Sequence, residues 1–444
     1  MDVVKGNFQG IGFPKEMAMV VLPEALFMVN SDLTPIRQNI DKFVDGLTKW
    51  APVTKKKGIA AISKMKVQGS DYQDAVDKMN LLFMRNLTGD GLPLVPPTKE
   101  RVGWILQGTD LPADREIGAI APRGGIATVE VIATSLAMAG GRPEYLPVLI
   151  AAVQALIKPE CTLQNWTTGS SNAFPVVVVN GPVAKQIRLN SGIGLLGPQP
   201  QYSAGAAIGR AIRLLLHNVG GAVPGIGAVG QYCPMRYTNA VFAEDEESFP
   251  KGWETLNSEY YGRPKGTNAV TTMVCDGAFN VHRRGSGIEP TQEAEQQESL
   301  YRVADAIKLT AKGPPGDVMA GVFIMNSLAA SQMAAAGWTK ATIKKALWEL
   351  TRSPRSELLK RPDIVRDANA AKVDLNKLPD LVPMWDKPER IIIAVAGGRH
   401  PTSALWMPWT TPVYSRVMGD AEITLPAKAK WDALIKQAEK DLGP

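Results

Sequence analysis

Histidine and cysteine are scarce in this chain, with three of each among 444 residues. Cys161, Cys233 and Cys275 form no CxxC pair and no Cys/His group at zinc spacing. A disulfide framework and a structural zinc site are therefore not expected, and the sparse, odd count suits a reducing compartment, so a cytoplasmic location is expected. His217, His282 and His400 lie far apart in sequence, and no metal or cofactor is expected. No segment approaches the ~18 uninterrupted apolar residues of a membrane span, and residues 1–13 hold no apolar signal core. The longest near-apolar run, Tyr145 to Ile157, contains Pro147 and Gln154 and reads as a buried helix. A basic stripe with interleaved aromatics is also missing. The net charge is only +6, aromatics make up 7%, and the only tight basic run is Lys55, Lys56 and Lys57. Nucleic acid is thus not an expected partner. Gly285-Ser-Gly287 lacks the strand–turn–helix context of a serine nucleophile. The acidic run Glu244 to Glu247 reads as a solvated turn.

What is present is the composition of a folded protein, 45% hydrophobic and 21% charged. The expected class is α/β, a helix-rich large domain around a buried sheet, over residues 74–444. Phe174 to Val179 contains four consecutive valines, and Arg390 to Val395 contains three isoleucines. Such unbroken β-branched runs predict strands buried on both faces. Further strands are expected over Ala269–Val274 and Val318–Met325. Helices are expected over Asp74–Leu87, Thr128–Met138, Ala204–Val219 with Ser203 as cap, Ser327–Ala336, Thr339–Leu350 and Ala427–Leu442. Before the large domain, Met17 to Leu22 has a strand's length, and Ile36, Ile40, Phe43, Val44 and Leu47 recur at helical spacing after Thr34-Pro35. One strand–helix unit, 1–50, cannot bury both its faces, so it must dock on another domain or chain. Residues 51–73 read as a linker.

Several segments could carry chemistry. Gly192-Ile-Gly194-Leu-Leu-Gly197 matches GxGxxG, but no strand precedes it and prolines follow, so dinucleotide binding is not supported. The same loop leads into a helix whose Arg210, Arg213 and His217 share a face. That face would hold a carboxylate or phosphate, or would be an ordinary ion-paired surface. Ligands of open α/β sheets sit beyond the strands' carboxyl ends. Asn180 after the valine run, Asn190 and Ser191 in the next loop, and His400 after the isoleucine strand are candidates on that ground. Cys161 to Ser171 reads as an extended loop dense in hydroxyls and amides. Gln164, Thr167 and Thr168 are its candidates for a ligand, or for local turns.

Taken together, several loops resemble a family of bacterial proteins, the large domains associated with small proteins named for a UGSC motif. The matching stretches include Gly89-Asp-Gly-Leu-Pro-Leu-Val-Pro-Pro-Thr98, Ala121-Pro-Arg-Gly-Gly-Ile-Ala-Thr128, Gly141-Arg-Pro-Glu-Tyr-Leu-Pro147, Val179-Asn-Gly-Pro-Val183, Leu189-Asn-Ser-Gly192, Asn218-Val-Gly-Gly221 and Val395-Ala-Gly-Gly398. The resemblance covers most of residues 76–430. Residues 10–50 look like the end of the small UGSC-type domain itself, whose thiol or selenol motif would sit upstream on another polypeptide. That motif is similar to the redox-active motif of the glycine-reductase class, which splits carbon–heteroatom bonds. The resemblance therefore implies a small UGSC-like partner subunit that brings the reactive sulfur or selenium, with this chain shaping the pocket for a small polar or anionic substrate. A hydrolase or lyase complete in this chain, and a non-catalytic binding or scaffold subunit, are the alternatives.

Overall fold

The computed structural model describes residues 31–50, 64–230, 240–282, 292–310, 321–399, 403–409 and 418–443, with positions 19, 20, 22 and 26 before them. Its strands are β1 (Glu116–Ile120), β2 (Gly125–Thr128), β3 (Phe174–Asn180), β4 (Val241–Ala243), β5 (Ala269–Cys275), β6 (Phe279–His282), β7 (Gly321–Met325), β8 (Ser353–Pro354), β9 (Leu381–Val382), β10 (Ile391–Val395), β11 (Ser403–Pro408) and β12 (Met418–Glu422). They form two four-stranded sheets, ordered β12-β5-β3-β4 and β10-β7-β11-β6, and two small pairs, β1-β2 and β8-β9. Both large sheets are mixed. β3 runs parallel to β4 and antiparallel to β5, while β10 runs parallel to β7 and antiparallel β11 separates β7 from β6. The class is α/β, as expected, but the single buried sheet expected from the sequence is two stacked sheets.

Side-chain alternation explains the stacking. In the second sheet Val322, Ile324, Ile392, Ala394 and Met407 join the core that holds the β3 valines. Their neighbours Phe323, Met325, Ile391, Ile393, Val395 and Trp406 join a second core with Leu300, Val303, Ile307, Ile343 and Leu347. Those last five lie on the helices Gln292–Thr310 and Lys340–Leu350. A strand between two cores needs an apolar residue at every position, hence the unbroken Ile-Ile-Ile-Ala-Val run. The outer side of the first sheet carries the helices Leu146–Leu156, against β5 and β12, and Ser203–Asn218, against β4, with Val129–Met138 packed on both helices. The layers therefore run helix, sheet, sheet, helix. Each buried Val or Ile contributes about 1.5–3 kcal/mol through removal from water.

The sheets also touch directly. Cys275 of β5 bridges to Trp409, just beyond β11, and Asp276 N donates to Pro408 O at 2.9 Å. Elsewhere Asp245 N, just past β4, donates to Val395 O at 2.8 Å.

Some local expectations change. Ser203 does not cap its helix; its hydroxyl lies 3.0 Å from Tyr145 Oη, and Tyr202 holds the cap position without a side-chain bond. The helix expected after Thr34-Pro35 splits into Thr34–Gln38 and Ile40–Thr48; Leu33 holds the first cap position without a side-chain bond, and Asp32 Oδ1 accepts from Thr34 N at 2.9 Å and Thr34 Oγ1 at 2.6 Å. No residue of either helix is buried. Of the run 17–22, Met19, Val20 and Leu22 are described and lie in no strand; the remainder is outside the described residues. Helix Tyr72–Arg85 begins two residues inside the expected linker. Cys161 to Ser171 is not extended, since Leu163–Thr168 forms a helix. No single described helix is long and apolar enough to cross a membrane.

Candidate functional site at the strand ends

The carboxyl ends of β3, β4, β7 and β10 lie together, where open α/β sheets usually hold their ligands. β3 ends at Asn180, and the chain turns at Gly181, whose φ is +91°. A Cβ there would lie 2.6 Å from both Asn268 Oδ1 and Thr267 O, so the turn requires glycine. Main-chain bonds join the neighbouring loops to it. Ala243 N donates to Asn190 O at 2.9 Å, Gly397 N to Ser191 O at 2.8 Å, and Ser327 N to Gly398 O at 3.0 Å.

Glu244 follows β4 and is almost wholly buried. Its Oε1 accepts from Val395 N at 3.2 Å; its Oε2 accepts from Asn180 Nδ2 at 2.9 Å and Leu256 N at 2.7 Å. One carboxylate thus ties both sheets to the start of helix Leu256–Tyr261. Burial pushes its carboxyl above the usual range, against the Lys340 charge and the N–H donors, which favour the anion. Asn180 Nδ2 also donates to Glu246 Oε1 at 3.1 Å, and Gly181 N reaches that oxygen at 2.6 Å. Two carboxylates therefore share one amide nitrogen. The same amide's Oδ1 is buried and has no hydrogen-bond partner.

Gly181, Glu244 and Glu246 line a cleft of about 1370 Å³, while Asn180 is not among its lining residues. Its lining includes Gly181, the acidic run Glu244–Glu247, Lys185, Arg188 and Lys265, the 200–202 turn, and Ile435, Glu439 and Leu442 of helix Lys428–Leu442. Lys185 Nζ pairs with Glu247 at 2.6 Å. Arg188 donates to the carbonyls of Leu442 and Gly443.

Among the residues expected from the sequence, Ser191 lines the cleft, and Asn180 is buried and holds two of its lining glutamates, Glu244 and Glu246. Asn190 is beside it, but its amide is used within its own loop, through Gly192 N at 2.8 Å and Ile193 O at 3.1 Å. Gln164, Thr167 and Thr168 are not among the cleft's lining residues. The two threonine hydroxyls donate to the carbonyls of Leu163 at 2.7 Å and Gln164 at 2.8 Å, one helical turn back. Of the two readings of the Arg210, Arg213 and His217 face, the ion-paired surface is the one that the contacts match. Arg210 holds Asp90 of this same chain at 2.9 and 3.0 Å, and His217 Nδ1 lies 2.5 Å from Gly89 O. Arg213 is buried on that helix, so the face clamps the 89–97 loop. His400 lies outside the described residues. The acidic run, expected to be a solvated turn, instead contributes buried Glu244 and the anchored Glu246. The signal that could have found it is the apolar tetrad Ala240-Val-Phe-Ala243 directly before it, a strand whose end it occupies.

The described thiols are not poised for attack. Cys161 donates to Ala155 O at 3.3 Å and lies 3.6 Å from Thr272 Oγ1, and burial pushes its thiol up to about 11. Cys275 is pushed up by burial and by Asp276. Cys233 and the Gly285-Ser-Gly287 segment lie outside the described residues. Among the described residues no three His, Cys, Asp or Glu side chains gather as metal ligands. No family model matches this chain, and no curated protein or solved structure matches it.

Proposed function

We propose that this chain is the substrate-shaping subunit of a bacterial enzyme acting on a small polar molecule, with the reactive thiol or selenol supplied by a small UGSC-like partner subunit. The chemistry would be carbon–heteroatom bond cleavage, in the lyase or oxidoreductase class. One observation carries the reading: a cleft with a fixed polar floor lies at the strand ends, while both described thiols are buried and held protonated. The amphipathic helix Ile40–Thr48 supports a docking partner, because it buries no residue and leaves Leu47 85% exposed. The anionic part of the substrate expectation loses its support, because the arginine face is occupied by Asp90.

The test is native mass spectrometry of the protein purified from its own host, followed by assay of the pair. A co-purifying small subunit with a Cys-x-x-Cys or selenocysteine motif, and activity only in the reconstituted pair, are expected. A lone chain or a homo-oligomer would sink the reading.

A second reading, a hydrolase or lyase complete in this chain, has its own observation. Glu244 and Glu246 share the Asn180 amide, and burial biases Glu244 toward its protonated form, the arrangement of an acid–base pair. It predicts activity from the isolated chain after Cys161, Cys233 and Cys275 are all changed to serine.

A further inference from the structure

We propose that the second half of helix Lys428–Leu442 is a gate on the strand-end cleft, latched shut by the Arg188 guanidinium. This rests on that cleft being the binding site, and not on the partner subunit.

The first argument is the uneven hold on the helix. Its first half is fixed in the main core by Trp431, 4% exposed, whose Nε1 donates to Gln186 Oε1 at 3.0 Å. Lys430 Nζ adds bonds to Thr109 O at 2.7 Å and Asp110 Oδ1 at 2.8 Å, and Ala427 N donates to Asp110 Oδ2 at 2.5 Å. Of residues 436–442 only Ala438 is buried. Two arginines from other elements hold that half. Arg142 Nη2 pairs with Asp441 Oδ2 at 2.8 Å, and Arg188 donates to Leu442 O and Gly443 O. Pairs of partly exposed charged groups hold less firmly than a buried, hydrogen-bonded indole, so the second half opens at lower cost than the first.

The second argument is the place of the latch. Arg188 lines the cleft, and so do Ile435, Glu439 and Leu442 of the helix. The guanidinium therefore joins two elements of the same lining, through the carbonyls that a helix end leaves without partners. Releasing it lets Glu439 and Leu442 swing away while Trp431 stays as the pivot. A molecule entering the cleft meets the latch itself, so occupancy and closure are coupled.

The third argument is the backbone. Arg188 has a φ of +54°, where it closes the short helix Val183–Gln186 through Arg188 N to Lys185 O at 3.0 Å and Leu189 N to Ala184 O at 2.9 Å. Glycine suits that left-handed position best, because a Cβ is strained there. The turn alone gains nothing from an arginine. What the arginine adds is a guanidinium within reach of the facing helix end.

Alkylation of a thiol placed in the cleft tests this. Ala184 lines the cleft yet is 8% exposed, so Ala184→Cys, made in a Cys233→Ser chain, reports opening by its reaction with iodoacetamide. Arg188→Gly removes the guanidinium and suits the left-handed turn. It is expected to speed labelling of the reporter at least tenfold with the melting temperature not lowered. Hydrogen exchange read by mass spectrometry should quicken at least tenfold over residues 436–442, and not over 428–434 or Ser203–Asn218. Unchanged labelling, or faster exchange spread over all three segments, would overturn the proposal. Exchange in Arg188→Gly alone decides if the reporter chain does not fold. No partner subunit is present in either measurement, so the outcome is separate from that of the co-purification.

Discussion

Arg210 and Asp90, 120 residues apart, form a two-pronged ion pair, Nε to Oδ2 at 2.9 Å and Nη2 to Oδ1 at 3.0 Å. The aspartate side chain is 8% exposed and the arginine 23%. Although burial opposes it, Arg210 holds the Asp90 carboxyl below the usual carboxylate range, and further bonds run from Arg210 to the carbonyls of Leu92 and Pro93. Arg210→Ala leaves a buried carboxylate without its cation. A loss of about 2–3 kcal/mol is expected, below the full buried-pair range because the arginine is partly wet. Urea denaturation measures it, and limited proteolysis should show new cleavage within residues 88–97. Unchanged stability would mean that the pair does not hold the loop.

His217 should make the protein acid-sensitive. Burial, then the neighbouring Arg213, lowers its imidazole to about 4, against the bond to Gly89 O. The unfolded chain binds this proton below about 6.5 and the native chain only near 4, so stability falls as pH drops through that window. The single-site contribution is at most about 3 kcal/mol. Denaturation midpoints at pH 4 to 7 read it, and His217→Asn should flatten the profile. An equally steep fall in the variant would assign the effect to other groups.

Glu244 should act in the opposite direction. Its raised carboxyl means that the native state keeps a proton which the unfolded state has released above about 4.5, so this residue removes stability as pH rises toward its native value. Glu244→Gln abolishes that dependence but sets an amide N–H₂ against at least one of Val395 N, Asn180 Nδ2 and Leu256 N. An uncompensated donor costs about 1–3 kcal/mol. The variant is expected to be less stable near neutral pH, with a flatter pH profile. A variant as stable as the parent would show that the clasp contributes nothing.

Cys161 and Cys275 should resist alkylation. With both thiols buried and protonated, iodoacetamide at pH 8 should label neither in the folded chain and both after urea unfolding, as read by peptide mass mapping. Rapid native labelling of Cys161 would reopen it as a nucleophile.

The sequence reveals what is buried on both sides. β3 and β10 are readable because a strand between two cores has no polar position. Helices such as Lys340–Leu350 are readable because Thr339 caps them, here through Thr342 N at 3.1 Å. β4, β11 and β12 escape because they are short or carry residues such as Pro408, Gly419 and Asp420 that break the pattern. Leu163–Thr168 escapes because its hydroxyls resemble those of a loop until they bond one turn back. Of the site, Asn180 and Ser191 are legible from the strand-end rule. Glu244 is not, since four consecutive acids resemble a wet surface. Nor is the use of Arg210, whose partner is fixed by tertiary structure alone.

The Glu244 clasp has a consequence for how this protein can change. It anchors the cleft's floor to both sheets and to a helix end, so the floor behaves as a rigid bearing and the 190–202 loop and the Lys428–Leu442 helix as replaceable fittings. New ligand preferences should therefore arise by exchange of the cleft-lining positions of those fittings, such as 201, 202, 439 and 442, and random libraries confined to them should keep the fold while libraries that touch residues 180, 244 or 395, or the buried Asn190, Trp431 and Ala438, lose it.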